Sequence, residues 1–279
     1  MDEPIEYLHL AVLAALEAGK AIMKIYTDPN ADFEIERKAD NSPLTLADRA
    51  AHAVIAAQLA DTPYPLLSEE GRNISYAERK DWPILWVVDP LDGTKEFIKR
   101  NGEFTVNIAC VKNGVPVMGV IYVPVRNELY CSADGLGAFK VTDVQVDDYE
   151  GLDELLMRAV KLPLAAPHKG IVVVASRSHL SEETEQFINE LRLHTPDVTM
   201  KSSGSSLKIC LVAEGSADVY PRFAPTMEWD TAAGHAIARG AGMEIYQAGK
   251  ANETNEPLRY NKEDLLNPWF IVEQVRNAQ

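Results

Sequence analysis

Asp89-Pro90-Leu91-Asp92-Gly93-Thr94 directly follows the apolar run Ile84-Leu85-Trp86-Val87-Val88. The run predicts a buried strand, and the strand ends in two carboxylates three residues apart. Proline fixes one backbone angle between them and glycine frees another, so the stretch can aim two oxygen ligands at one point. Because magnesium is held by a few carboxylates together with substrate phosphate oxygens, the stretch predicts phosphate chemistry.

The composition is that of an ordinary globular protein. The chain has 279 residues, 46% of them hydrophobic and 8% aromatic, which suits one large domain or two small ones. Its formal net charge of −15 repels nucleic acid, anionic lipid and phosphorylated molecules. A bound divalent cation reverses this field locally, so the charge argues against a nucleic-acid partner and leaves a metal-dependent phosphatase open.

The cysteines and the N-terminus indicate the compartment. Cys110, Cys131 and Cys210 lie far apart, which argues against a disulfide framework or structural zinc. The start of the chain lacks the basic residues of a secretory signal. No run approaches the roughly 18 apolar residues of a membrane span. We expect a cytoplasmic protein without an integral membrane segment; peripheral association with the inner face of the cell membrane stays open.

Hydrophobic periodicity predicts an α+β first half. We expect one helix over 4–26 and another after Pro43, with Thr45 as its N-cap and Asp48 three residues on. An antiparallel meander is expected from four β-rich segments, at 84–88, 104–111, 116–123 and 128–132.

The second half predicts an α/β arrangement, because strands alternate with helices beyond the acidic stretch 142–169. The expected strands are 171–175 and 217–220, and the expected helices are 181–193, 205–213 and 231–241. We place an α+β metal-binding domain with an antiparallel sheet at 1–150 and an α/β substrate-binding domain at 165–279.

Several acidic residues lie beside turns or element ends, where they can converge on a cleft: Asp48, Glu69, Glu70, Asp89, Asp92 and Asp230. Each also has a plainer role. Glu69 and Glu70 can form a solvated strand end, although one of the two should point inward. Asp89 and Asp92 can be turn formers. Asp230 can be a helix N-cap worth about 1 kcal/mol, and a helix N-terminus also keeps a carboxylate ionised and available as a ligand.

Taken together, Glu69, the 89–94 stretch and Trp229-Asp230-Thr231-Ala232-Ala233 resemble the inositol monophosphatase family of magnesium-dependent, lithium-sensitive phosphatases. The likeness extends from about Asp40 to Pro268 and is weakest over 142–169. It implies the layered αβαβα sandwich of inositol monophosphatases and sugar phosphatases.

Four further segments are similar to the bacterial 3′(2′),5′-bisphosphate nucleotidase branch of that family, the CysQ type. They are the loop 95–109 that begins Lys95-Glu96, Ser176-Arg177-Ser178-His179, Gly204-Ser205-Ser206-Leu207-Lys208 and Tyr220-Pro221-Arg222-Phe223.

The resemblance implies a role for each matched position. Two or three Mg²⁺ ions would be held by Glu69, Asp89, the carbonyl of Leu91, Asp92 and Asp230. Catalysis would use Asp48, Glu69 and Thr94, with Asp48 and Thr94 beside the attacking water. The substrate would contact Gly93, Thr94, Ser176, His179, Gly204, Ser205, Lys208, Arg222 and Asp230. A metal-activated water would attack phosphorus in line, without a phosphoenzyme.

The residues themselves also suggest a grip for a second phosphate. Gly204 and Ser205 open a predicted helix whose N–H groups and dipole suit an anion, and Lys208 lies in its first turn. Arg222 could add a bidentate contact. The plainer alternative is a helix cap with a solvated lysine and a structural arginine. His235, in an Ala-rich helix, is expected to pack.

We therefore expect a phosphatase that converts 3′-phosphoadenosine 5′-phosphate to AMP and phosphate and so clears a by-product of sulfate assimilation. The predicted partner is a small nucleotide, not nucleic acid. Action on the sulfated nucleotide 3′-phosphoadenosine 5′-phosphosulfate and the choice between monomer and homodimer stay open. The alternatives are inositol monophosphatase or fructose 1,6-bisphosphatase activity at the same metal site, and a non-catalytic nucleotide-binding protein, against which the intact carboxylate set argues.

Overall fold

The computed structural model describes residues 4–30, 36–37, 43–164, 169–175, 181–248 and 253–276. Ser176 and His179, both expected to contact substrate, lie outside these ranges. Two short strands lie between the first two long helices of the chain, β1 (Glu36–Arg37) and β2 (Pro43–Leu44), and they pair antiparallel with each other.

Two helices cover one face of the first sheet. α1 (Leu8–Tyr26) follows a 3-10 turn (Pro4–Tyr7), and α2 is Leu46–Leu59. The predicted cap of α2 is confirmed, because Thr45 Oγ1 accepts from the Ala47 N–H at 3.2 Å and the Asp48 carboxylate accepts from the Thr45 N–H at 2.7 Å. These reciprocal bonds satisfy N–H groups that a helix start leaves without partners, and they fix the Asp48 side chain.

The first sheet contains, among the described residues, β3 (Leu66–Ser68), β4 (Ile84–Asp92), β5 (Thr105–Lys112), β6 (Val115–Val123), β7 (Glu128–Ala133), β8 (Gly137–Val141) and β9 (Val160–Lys161), in that spatial order. β3 is parallel to β4, and every other pair is antiparallel, so the predicted meander is confirmed. Alternate residues of β4 face opposite cores: Trp86 packs toward α1 and α2, whereas Val87 packs on the other side. The short helices α3 (Tyr76–Arg79) and α4 (Thr94–Ile98) flank β4 in sequence.

The acidic stretch 142–169, expected to connect the two halves, is more structured than that. It holds a 3-10 turn (Val146–Asp148) and α5 (Leu152–Arg158), and then β9, which pairs with β8 and extends the first sheet. The division into two domains stays a prediction.

The second half is mixed. β10 (Ile171–Ala175), α6 (Glu182–His194) and β11 (Val198–Ser202) form a parallel crossover unit. The neighbouring sheet is antiparallel, in the order β12 (Tyr220–Arg222), β15 (Phe270–Gln274), β13 (Met243–Ala248) and β14 (Glu253–Pro257). The expected strand at 217–220 is therefore displaced to 220–222, and the α/β expectation holds for the crossover unit only.

Two helices lie between the sheets, α7 (Leu207–Ala213) and α8 (Glu228–Gly240). α8 packs on β4 to β8 with one side and on β13 with the other, while α7 packs on β12 and β15 and α6 packs on β12. The layers therefore run helix, sheet, helix, sheet, helix, as predicted. Among the described residues no helix is long and apolar enough to cross a membrane.

The contact between β6 and α8 leaves no room at Gly119. A Cβ atom there would lie 2.3 Å from the Ala233 carbonyl oxygen and 2.9 Å from Ala236 Cβ. We expect Gly119→Ala to force the helix from the sheet and to lower the free energy of unfolding by about 1–3 kcal/mol. Urea unfolding followed by circular dichroism measures the loss. An unchanged free energy would contradict the packing described here.

Candidate active site

A bulge in β4 brings two carboxylates to the same side of the strand. Asp89 is opposite Asn107 of β5 and Asp92 is opposite Thr105, so three steps along β4 match two along β5. Residues three apart in a regular strand point to opposite faces. The extra residue cancels this inversion, because Asn107 and Thr105 share one face. The Asp89 carboxylate also accepts from the Leu91 N–H at 3.0 Å, which fixes its direction.

Gly93 turns the chain from β4 into α4 and places Thr94 beside Asp48. Its φ of +91° is in the left-handed region, and a Cβ there would lie 3.1 Å from the Glu103 carbonyl oxygen. Thr94 Oγ1 donates to Asp48 Oδ1 at 3.2 Å, and the other Asp48 oxygen accepts from Thr45. The two residues expected beside the attacking water therefore touch.

Three of the predicted ligands converge from three elements. Glu69 directly follows β3, and its N–H donates to the Val88 carbonyl at 3.1 Å, so the two strand ends lie side by side. Asp230 is in the first turn of α8. One carboxylate oxygen each from Glu69, Asp89 and Asp230 lies within 4.8 Å of the others. We call these residues the carboxylate cluster; Glu69 belongs to it, whereas Glu70 and the predicted ligand Asp92 do not.

The start of α8 corrects one prediction. The helix expected over 231–241 begins at Glu228 with Met227 as its N-cap, so the plainer role of Asp230, that of an N-cap, is wrong. Asp230 is at the third helical position, and its carboxylate accepts from the Met227 N–H at 2.9 Å. The stabilisation by the helix N-terminus is retained, and the side chain is aimed at the cluster.

The carboxylate cluster is electrostatically strained without a cation. Burial raises the pKa of Asp89 well above its ordinary range, and the charges of Glu69, Asp92, Asp230 and Asp48 raise it further. Burial and the Asp92 charge raise the pKa of Asp230 to about 8, although the Met227 N–H bond opposes the shift. A divalent cation would relieve this repulsion, and a donor set made only of oxygen atoms suits magnesium.

A cavity of about 200 Å³ opens beside Asp92 and Asp230. Its lining includes most of the predicted substrate contacts, namely Gly93, Gly204, Ser205, Lys208 and Arg222. It also includes residues that were not assigned a role from the sequence: Lys95, Lys99, Ser206, Tyr220, Thr226, Thr231 and Phe270, among others. The Lys95 and Lys99 pair, four residues apart in the 95–109 loop, was the signal that could have revealed the basic rim.

The anion grip expected at Gly204 is wrong in its detail. The Gly204 N–H donates to the Glu103 carboxylate at 3.0 Å, and the Ser206 N–H donates to Ser205 Oγ at 2.6 Å. α7 begins only at Leu207. These N–H groups therefore serve the fold and not a ligand.

Lys208 is buried and not solvated. Its Nζ donates to the Ser205 carbonyl at 2.6 Å and lies 5.6 Å from the centre of the Tyr220 ring. Burial lowers the pKa of Lys208 to about 8, against the opposing charge of Asp92. Lys208 is thus a buried cation in the lining of the cavity.

His235 packs as expected. Its ring is buried, with Nδ1 2.9 Å from the Tyr260 hydroxyl and Nε2 hydrogen-bonded to Glu244. Burial lowers the pKa of His235, which favours the neutral ring.

This fold and this clustered-carboxylate site are those of a known class of phosphatases. The profile of the inositol monophosphatase family matches residues 4–274, and the chain belongs to that family. The predicted family and fold are confirmed.

Within the family, the chain is similar to several proteins named CysQ. The 3′(2′),5′-bisphosphate nucleotidase CysQ of Escherichia coli (strain K12) is 45% identical over 261 residues, which are 92% of this chain and 96% of that protein. The protein of the same name from Haemophilus influenzae is 34% identical and covers 95% of this chain and 91% of its own. The crystal structure of CysQ from Bacteroides thetaiotaomicron is 62% identical, with a TM-score of 0.88 over 96% of this chain and 97% of that one. These relatives and the family support a metal-dependent phosphatase role.

Metal binding to the carboxylate cluster should increase the thermal stability of the protein. We expect Mg²⁺ to raise the melting temperature of the wild type, because it binds the native state and relieves the repulsion. In Asp230→Asn this rise should be lost. The exposed Asp134→Asn is the matched control and should respond as the wild type does. An equal rise in Asp230→Asn would place the metal elsewhere.

Without metal, Asp230→Asn should be more stable than the wild type at pH 8. A carboxyl group whose pKa is raised in the native state favours that state at low pH, and this stability is lost as the pH rises from about 4 to about 8. With EDTA at pH 8, Asp230→Asn should melt above the wild type, and at pH 4 the difference should shrink. Differential scanning calorimetry at the two pH values measures it. A variant less stable than the wild type at pH 8 would contradict the electrostatic argument.

Proposed function

We propose that the protein is a magnesium-dependent phosphatase that hydrolyses the 3′-phosphate of 3′-phosphoadenosine 5′-phosphate to AMP and phosphate. One observation carries this proposal: the lining of one cavity contains two of the carboxylates expected to hold metal, Asp92 and Asp230, together with the cationic side chains of Lys95, Lys99, Lys208 and Arg222. A ligand with two phosphates matches both features. The relatives named 3′(2′),5′-bisphosphate nucleotidase support the same substrate class.

In this proposal Glu69, Asp89, Asp92, Asp230 and the Leu91 carbonyl hold two or three Mg²⁺ ions. The oxygen-only donor set and the raised pKa values of Asp89 and Asp230 support this assignment. When bound, the ions neutralise the phosphate under attack and make a water more acidic.

Asp48 and Thr94 take the proton of the attacking water. Thr94 Oγ1 directs its own proton to Asp48 Oδ1, so the lone pairs of its oxygen face outward. The water donates to Thr94 Oγ1 while Thr94 passes its proton to Asp48, and the oxygen of the water bonds to phosphorus as the ester bond to the nucleoside breaks. The released 3′ oxygen of the nucleoside takes a proton from solvent water. Asp48 is held for this task by Thr45.

The second phosphate contacts the cations of the same cavity. The Lys208 ammonium group has three N–H donors, of which one donates to the Ser205 carbonyl. Arg222 donates to the Pro225 carbonyl at 3.1 Å, and its Nε is buried without a hydrogen-bond partner among the described residues. Lys95 and Lys99 are exposed at the rim, where the sulfated nucleotide would also meet them. Inhibition by lithium and a role in sulfur metabolism belong to the same proposal.

Phosphate release tests the proposal directly. 3′-Phosphoadenosine 5′-phosphate and inositol 1-phosphate are compared with Mg²⁺, with EDTA and with added Li⁺. We expect Mg²⁺-dependent, Li⁺-inhibited preference for the nucleotide, and at least about a thousandfold loss in Asp92→Asn, since a charged ligand is removed from the reaction centre. Preference for inositol 1-phosphate would overturn the substrate assignment. No release from either would favour the binding-protein alternative.

Lys208 should make nucleotide binding depend on pH. It is charged below pH 8 and loses its charge as the pH rises through 8. We expect the KM for the bisphosphate to be about tenfold higher at pH 9 than at pH 7, since about one lysine in ten is then protonated. In Lys208→Arg the profile should be flat, because arginine stays charged.

The matching control is the substrate with one phosphate. Lys208→Ala should raise the KM for the bisphosphate far more than that for inositol 1-phosphate. A rise above pH 8 that persists in Lys208→Arg would assign the titration to another group.

A further inference from the structure

A line of hydrogen-bonded side chains runs from the cavity to Asp92. Ser205 Oγ lies 2.6 Å from Thr105 Oγ1, which lies 2.9 Å from Asn107 Oδ1. Asn107 Nδ2 lies 2.7 Å from Ser206 Oγ, which lies 2.6 Å from Asp92 Oδ2. Thr105, Asn107 and Ser206 are buried. We call these five residues the Ser205–Asp92 chain.

The direction of every hydrogen bond in the Ser205–Asp92 chain follows from Asp92, the residue at its end. An ionised carboxylate only accepts, so the Ser206 hydroxyl gives its single proton to Asp92. Ser206 Oγ therefore accepts from the Asn107 amide, which turns Asn107 Oδ1 toward Thr105. Thr105 donates to that oxygen and so accepts from Ser205. All protons of the chain point toward Asp92.

The chain holds Asp92 from one side only. Its oxygen Oδ2 receives Ser206 at 2.6 Å and is 3.5 Å from Asn107 Nδ2, whereas Oδ1 is not used by the chain. Ser206 Oγ also lies 3.0 Å from the backbone carbonyl of Asp230. The Ser206 hydroxyl, which donates to Asp92 at the end of β4, thus lies beside the first turn of α8.

We propose that Asn107 and Ser206 are positioning residues that lock the Asp92 carboxylate, so that Oδ1 is presented to the cation. The inference rests on the proposed function. Groups that orient a metal ligand by hydrogen bonds affect metal affinity about 10–100-fold. Neither residue was assigned a role from the sequence.

The direction of the chain also constrains Ser205. Its proton goes to Thr105, and its oxygen already accepts from the Ser206 N–H. Toward the cavity Ser205 Oγ can only accept, so it suits a hydroxyl or amino donor of the substrate and repels a phosphate oxygen. The predicted substrate contact at Ser205 is then to the nucleoside part of the ligand.

The test measures Mn²⁺ affinity of the full chain by electron paramagnetic resonance, which counts unbound ions without any turnover. We expect Ser206→Ala to weaken Mn²⁺ binding at least about tenfold. Ser132→Ala is the matched control, because Ser132 is also a buried serine that donates to a carbonyl of α8, that of Ala236 at 3.0 Å. Its Mn²⁺ affinity should equal that of the wild type.

A second pair of variants guards against misfolding of Ser206→Ala. Thr105→Val removes the hydroxyl in the middle of the chain at nearly constant shape, and Thr105→Ser keeps it. Thr105→Val should weaken Mn²⁺ binding and Thr105→Ser should restore it. Wild-type affinity in both Ser206→Ala and Thr105→Val would overturn the inference. A wild type that binds no Mn²⁺ would instead count against the metal site of the proposed function.

Discussion

Repulsion among clustered carboxylates, one buried and two half-buried, is the constraint on which this structure depends. Glu69, Asp89 and Asp230 come from three elements and converge within 4.8 Å, with Asp92 and Asp48 near enough to raise the pKa of Asp89 further. Such an arrangement opposes folding unless the remaining structure enforces it. The scaffold does so by local hydrogen bonds to two of the three carboxylates: the Leu91 N–H donates to Asp89 and the Met227 N–H donates to Asp230. Relief of this repulsion would favour the binding of a cation by these residues.

The packing of α8 fixes the position of Asp230 relative to the other carboxylates. The helix packs on the first sheet at Gly119, where there is no room for a side chain, and its first turn is anchored by the fully buried Glu228. That carboxylate accepts from the N–H groups of Asn261 and Lys262 at 2.6 and 3.0 Å, and from Lys262 Nζ at 2.6 Å. A buried carboxylate with three donors is satisfied. Asp230, two residues after Glu228, is therefore held by a firmly anchored helix turn.

Local signals predicted much of this from the sequence, and long-range contacts account for the rest. The β4 strand, its paired carboxylates and the Thr45 cap depend on residues a few positions apart, so their pattern is visible in the chain. The bulge that aligns Asp89 with Asp92 depends on the register against β5. The Gly204 N–H is taken by Glu103, 101 residues away, and no local pattern announces such a bond. For the same reason the sequence did not reveal the burial of Lys208, whereas the local motifs at 89–94 and 229–233 were enough to indicate the family.

The distribution of charge explains how a chain with a net charge of −15 can receive an anion. The carboxylate cluster repels phosphate until a divalent cation reverses its sign, whereas Lys208 and Arg222 are attractive from the start. Lys208 is poised, because burial has lowered its pKa to about 8 while Asp92 favours its charged form. Burial disfavours the charged form of Lys208, and a second phosphate nearby would favour it. The phosphate would therefore raise the pKa of Lys208 again. Binding of a second phosphate and retention of the lysine proton would then be coupled, which would favour the proposed bisphosphate over a ligand with one phosphate.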